Sequence, residues 1–283
     1  MSVWRRRPAP PATVGAAVEP GRAADPLGNT AWTTQPRLSA DGGSTGALTV
    51  RAASVIGRAH AAAGHTREDA FALGRAADGT AVMAVADGLG DPAAHRSALG
   101  AQLAAMEACR LVRARLDGDA AIDAVALCAQ VGAAVLAAAA RIAGTSLPPR
   151  ALSTTLTVAW VAQDGRYTGV TLGDGGAYVL GRRGLDRVSG EEDGFDGTVA
   201  LPGGHAAAAG FTGRLDPGAA LLLATDGLAG PAAAPDVRHY LRRRWRRPPA
   251  IAEFLGDLSF HRRGETDDRT AAGVWFQPRE DPR

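Results

Sequence analysis

Thr80-Ala81-Val82-Met83-Ala84-Val85-Ala86-Asp87-Gly88-Leu89-Gly90 is the stretch on which the fold turns. An apolar run of this length, closed by Asp-Gly, reads as a buried strand entering a turn. The same arrangement returns at Ala219-Ala220-Leu221-Leu222-Leu223-Ala224-Thr225-Asp226-Gly227. In both places a carboxylate emerges at the rim of a core.

Outward from the first run, residues 47–56 and 70–73 read as strands. Downstream, Leu99, Leu103, Met106, Cys109, Val112 and Leu116 recur every three or four residues, one apolar stripe of a helix that Asp117-Gly118 breaks. Ile122, Val125, Cys128, Val131, Val135 and Ile142 predict a second helix, stopped by Gly144 and Pro148-Pro149. Strands are predicted at 152–161, 167–172 and 270–276, with a hairpin pairing 177–180 and 185–188 across Gly181–Gly184. Short helices are predicted at 235–245 and 251–259. This order predicts an α+β fold with helix layers packed on antiparallel sheets. Residues 1–46, rich in Pro, Gly, Ala, Ser and Thr without an apolar period, read as a flexible leader. The domain runs over 47–278, and 279–283 form a tail. Arg5-Arg6-Arg7 lacks the apolar segment of an export signal.

With 283 residues and 46% hydrophobic side chains, the chain holds a substantial core and is not wholly disordered. Its longest apolar stretch, 131–140, contains Gly132 and ends at Arg141, short of the run expected to span a membrane. Two cysteines, Cys109 and Cys128, cannot make a disulfide framework; they read as core residues and point to the cytoplasm. A net charge of +2 gives no ground for a nucleic-acid partner. All 31 basic residues are arginine, which excludes lysine chemistry. Arg238, Arg242, Arg243, Arg244, Arg246 and Arg247 around Trp245 read as a solvated helix face, with a phosphate-rich partner as the alternative.

Nine Asp-Gly pairs occur, and for most of them hairpin closure through positive φ is a sufficient reading. Asp87 and Asp226 stand apart because each follows a fully apolar strand. Asp174 has a weaker version of that context, and Asp267 precedes the last strand. Carboxylates that converge repel unless a cation bridges them, and an all-oxygen set favours Mg²⁺ or Mn²⁺. Paired ions of that kind suit phosphoryl transfer to water.

The ordered series Arg67-Glu68-Asp69-Ala70-Phe71, Val85-Ala86-Asp87-Gly88-Leu89-Gly90, Ser153-Thr154-Thr155, Gly173-Asp174, Ala224-Thr225-Asp226-Gly227 and Asp267-Asp268-Arg269-Thr270 resembles the type 2C, metal-dependent protein phosphatases (PPM), most closely their short bacterial branch. The resemblance covers about residues 47 to 278. It implies a four-layer αββα sandwich with metals at one end, and hydrolysis of phosphoserine or phosphothreonine by a hydroxide bridging two Mn²⁺ or Mg²⁺ ions. Asp87, Asp226 and Asp267 become the catalytic candidates. Asp87 matches the ligand shared by both metals, the Gly88 carbonyl serves the second, and Asp226 and Asp267 complete the first. Glu68 and Asp69 match holders of metal-bound water, and Asp174 a position tied to a third metal. The implied partners are a phosphorylated protein substrate and a Ser/Thr kinase of the same pathway, without nucleic acid or membrane.

The sequence departs from the family at three places. Gly64 stands where the family usually carries its phosphate-binding arginine, with Arg67, Arg58, His60 or Arg96 as replacements. Asp91-Pro92-Ala93-Ala94 replaces a glycine-histidine continuation, and Gly175-Gly176 replaces Ser-Arg. The flap falls near residues 189–204 and is acidic. His60 or His65 is placed to protonate a leaving alkoxide. The missing arginine motivates a rival reading, a catalytically weak phosphatase-like module that binds partners. A third reading keeps the chemistry but narrows the substrate to one anti-sigma-antagonist type of protein.

Overall fold

The computed structural model describes residues 37–182, 184–190 and 198–278. The strands are β1 (Leu38–Thr45), β2 (Leu48–Val55), β3 (Ala70–Arg75), β4 (Ala81–Ala86), β5 (Leu156–Val161), β6 (Arg166–Leu172), β7 (Gly176–Leu180), β8 (Leu185–Arg187), β9 (Ala209–Arg214), β10 (Ala220–Ala224) and β11 (Arg269–Phe276). The helices are α1 (Arg58–Ala63), α2 (Ser97–Asp117), α3 (Ala124–Ala143), α4 (Asp226–Ala232), α5 (Pro235–Trp245) and α6 (Ile251–Leu258). One antiparallel sheet has the order β1-β2-β11-β10-β7-β8, the other β3-β4-β5-β6-β9.

The two apolar runs lie inside these sheets, covered on both faces. From β4, Met83 and Val85 point between the sheets to a core shared with Leu221 and Leu223 of β10. Val82, Ala84 and Ala86 point the other way, under α2 and α3. Leu222 and Ala224 of β10 likewise face the layer of α4, α5 and α6. A strand buried on both faces needs no polar alternation, which is why these runs read as continuous. The result is the expected αββα sandwich. In the second helix layer Trp245 is fully buried, its ring centroid 4.6 Å from that of Phe254, and its carbonyl accepts from Trp275 Nε1 at 2.8 Å.

Several expectations need correction. Residues 38–45, read as leader, form β1, which pairs with β2 along its whole length from Leu38↔Val55 to Thr45↔Leu48. No β1 side chain is buried, so backbone pairing rather than an apolar pattern holds it. Residues 1–36, the tail 279–283 and the acidic flap positions Glu191, Glu192, Asp193 and Asp196 lie outside the described residues. The α2 stripe holds at Leu103, Cys109 and Val112, which are buried, and fails at Met106. Met106 is 57% exposed, and between the larger residues the buried face is built on Gly100, Ala101, Ala104, Ala105 and Ala108. Small residues let α2 approach so closely that a Cβ on Gly100 would lie 2.2 Å from the Leu152 carbonyl oxygen. α3 begins after Asp123, whose side chain caps Ala126 N, and leaves Ile142 exposed. Unlike the unbroken run sought in the sequence, α3 as a whole is long and apolar enough to cross a membrane by length and composition, with mean hydropathy 1.8. In the fold its Leu127, Cys128, Val131 and Val135 face packs into the core beneath it.

Candidate metal centre

Strand direction gathers the acids. Ala224 at the end of β10 pairs with Gly176 at the start of β7 and with Ala271 near the start of β11. Asp226, Asp174 and Asp267 therefore share one end of the sandwich. Ala86 at the end of β4 pairs with Ala70, which brings Asp87 beside Glu68 and Asp69 at the same end. Asp87, Asp174 and Asp226 each present a carboxylate oxygen within 4.8 Å of the others.

The backbone around them is tightly held. Asp87 N donates to Thr155 Oγ1 at 3.1 Å, and the Asp87 carbonyl accepts from Thr154 Oγ1 and Thr155 N, both at 2.8 Å. This gives the Ser153-Thr154-Thr155 motif a physical role: it fixes the turn that aims Asp87. Thr225 Oγ1 donates to Asp69 Oδ2 at 2.7 Å and accepts from Thr270 N at 3.0 Å, linking β3, β10 and β11. Asp174 Oδ2 accepts from Thr198 at 2.8 Å.

Glycine has two different roles in the Asp-Gly pairs. Gly79 and Gly165 adopt φ of +86° and +84°, the expected turn behaviour. Gly88 and Gly227 do not have positive φ; they are glycines because of crowding. A Cβ on Gly88 would lie 2.7 Å from Ser97 Cβ, and one on Gly227 only 1.9 Å from the Asp268 carbonyl oxygen. The site pairs are thus close-approach glycines, not hairpin closers.

Electrostatically the cluster is incomplete by itself. Asp69 Oδ1, Asp174 Oδ1, Asp226 Oδ1 and Glu68 Oε2 are buried and receive no hydrogen bond among the described residues. Burial first, and then the Asp69 and Asp226 charges, hold the Asp87 carboxyl well above its ordinary pKa. Burial, then Asp268, raises Asp69 to about 7, and burial also raises Asp226. Two charged carboxylates under 5 Å apart repel by about 3 kcal/mol at the effective dielectric of a protein. Orphaned, buried, all-oxygen donors of this kind fit hard divalent cations.

The remaining candidates separate into two groups. Asp267 is exposed at the margin, close enough to raise the Asp226 pKa, and forms a second group with Asp268 and His60. Asp268, which carries no role in the sequence reading, is buried and accepts from Gly57 N at 2.5 Å and Glu68 N at 2.6 Å. It ties the 57–68 segment to β11 and so sets Glu68 and Asp69. His60 Nδ1 lies 3.1 Å from Asp268, whose carboxylate raises His60 to about 9. That shift favours the protonated form of His60 at neutral pH. Arg67 donates from Nε to the Asp69 carbonyl at 3.0 Å and from a terminal nitrogen to the Ser54 carbonyl at 3.4 Å. These bonds brace the backbone with two of the three guanidinium nitrogens. Arg58, beside Asp267 in a cavity of about 130 Å³, and Arg96, at the N-cap of α2, are exposed.

The family model for Protein phosphatase 2C matches residues 56–258. The chain belongs to that family. No curated protein matches it in sequence. Among solved structures it is similar to the photosystem II phosphatase PBCP, at 18% identity and a TM-score of 0.59, over 81% of this chain and 98% of that one. It is also similar to the Mycobacterium tuberculosis serine/threonine phosphatase PstP/Ppp, at 22% identity and 0.55, over 81% and 99%. RsbX in complex with magnesium matches at 14% and 0.52, over 84% and 100%. At these identities the likeness establishes the shared fold of this Protein phosphatase 2C member.

Proposed function

We propose that this Protein phosphatase 2C member is a metal-dependent phosphatase acting on phosphoserine and phosphothreonine in proteins. The observation that carries the reading is the convergence of Asp87, Asp174 and Asp226 within 4.8 Å, with buried oxygens that lack donors. Asp87, Asp226, Asp267 and the Gly88 carbonyl would hold two Mn²⁺ or Mg²⁺ ions, with Glu68, Asp69 and Asp174 around them and Asp174 open to a third. Such ions supply charge neutralisation for phosphoryl oxygens and an acidified water. The chain's own residues do the positioning. Thr154 and Thr155 fix Asp87, Thr225 orients Asp69, and Asp268 holds the loop that carries Glu68. Exposure of Asp267 at the rim leaves room for a phosphorylated side chain borne on another protein, the product of a Ser/Thr kinase. Arg58, Arg96 or the remaining terminal nitrogen of Arg67 would contact the phosphate. The test is hydrolysis of p-nitrophenyl phosphate and a phosphothreonine peptide by purified protein. Turnover with Mn²⁺ that EDTA abolishes is the expected result; no turnover of either substrate with Mn²⁺ overturns the reading.

A binding prediction follows from the raised carboxyl pKa values. A carboxyl whose folded pKa lies near 7 stabilises the metal-free fold below the unfolded value of about 4, and that contribution is lost as pH rises through about 7. Divalent cations reverse the loss. Mn²⁺ is expected to raise the melting temperature strongly near pH 7.5 and weakly near pH 5, where protons compete for the same oxygens. Scanning calorimetry at both pH values checks this, and an equal shift at each contradicts it.

A further inference from the structure

Six arginines from three separate stretches of the chain line one open cleft of about 1470 Å³. Arg182 comes from the β7–β8 turn and Arg214 from the end of β9; Arg242, Arg243, Arg246 and Arg247 come from the end of α5 and just beyond. Among the described residues that line the cleft, only Asp186 and Asp216 oppose them. Six arginines against two aspartates leave a surplus of four positive charges, in a chain whose whole net charge is +2. Among the described residues none of the six is in an ion pair, and Arg242 only donates to the Arg182 carbonyl at 3.0 Å. Arg244, from the same run, turns away and pairs with buried Asp257 at 2.6 Å. A solvated helix face would spread its charges outward. Here a hairpin turn, a strand end and a helix end aim theirs into one concavity, which focuses the positive field.

We propose that this cleft docks an extended acidic polypeptide segment, rich in Asp and Glu, of a partner protein. Its volume exceeds that of an ordinary small-molecule pocket. No Phe, Tyr or Trp lines it among the described residues and His239 is its one aromatic ring there, so it lacks the row of stacking rings that a nucleic-acid strand favours. It is concave, with Leu180 and Pro217 in its wall, and the exposed large apolar residues that membrane-surface binding requires lie elsewhere. Guanidinium groups instead match carboxylates, fork to fork. The cleft adjoins the start of β10 at Ala219, whereas Asp226 follows its end, so docking takes place at the opposite end of the sandwich from the carboxylates. The inference is therefore independent of hydrolysis.

The test is fluorescence anisotropy of a labelled peptide of about a dozen Asp and Glu residues with the full chain. The variant Arg243→Glu/Arg246→Glu/Arg247→Glu reverses three exposed cleft charges. Arg113→Glu/Arg141→Glu/Arg263→Glu makes the same net change at exposed positions outside the cleft. Salt-sensitive binding that weakens at least about tenfold in the cleft variant and far less in the control supports the proposal. The single variant Arg247→Glu, beyond the end of α5, should show a smaller loss of the same sign, which covers misfolding of the triple variant. Equal losses in cleft and control variants, absence of binding at low salt, or tighter binding of polyuridylate or phosphatidylserine vesicles than of the peptide would each overturn it.

Discussion

Asp87→Asn and Asp226→Asn are each expected to lower Mn²⁺-dependent hydrolysis by more than about a hundredfold, while leaving the fold intact. Each side chain sits where three carboxylates meet, and each loses a negative ligand without a change in size. The metal-free Asp87→Asn protein should be at least as stable as the parent, because the substitution removes repulsion against Asp69 and Asp226. What it should lose is the rise in melting temperature on adding Mn²⁺. These two readouts separate a ligand from a merely structural aspartate. Near-parental turnover at saturating Mn²⁺, or a metal-free variant that is clearly less stable, would remove Asp87 from the site.

The largest stability effect is expected at Arg269. Its side chain is buried and stacks on the Phe260 ring at 4.1 Å to the centroid. It donates to the carbonyls of Gly227 at 3.2 Å, Leu258 at 3.3 Å and Phe260. Burial pulls its pKa down to about 10, so at neutral pH it remains a cation that neutralises three carbonyl dipoles. Arg269→Met keeps the apolar stem but leaves those carbonyls without donors, at a cost of about 3 to 5 kcal/mol. Because Gly227 follows Asp226, the damage should also reach the site and weaken Mn²⁺ binding. Urea unfolding of the metal-free variant measures the first effect; a loss below about 1 kcal/mol would show that Arg269 does not hold these loops.

Legibility from sequence differed by element, for physical reasons. β4 and β10 were plain because burial on both faces makes a strand uniformly apolar. β1 and β9 were not: β1 has no buried side chain and β9 only Phe211, so neighbouring backbone rather than local pattern selects them. α1 was missed because none of its residues is buried. In α2 the spacing of large residues located Leu103, Cys109 and Val112 on the buried face but not its alanine and glycine part, which packs closest and leaves Met106 outside.

Asp87, Asp226 and the order of the acidic motifs follow from the sequence by itself, because a charged residue ending an apolar strand has one place to go, the rim of the core. The sheet layers follow for the same reason. Only the tertiary structure decided which acids meet. Asp87, Asp174 and Asp226 are brought together by antiparallel pairing between strands far apart in the chain. It also assigned Arg67 to the backbone, Asp268 to the loop and the α5 arginines to a cleft. Those roles depend on neighbours that come from other segments, and the spacing of residues along a chain carries no information about such neighbours.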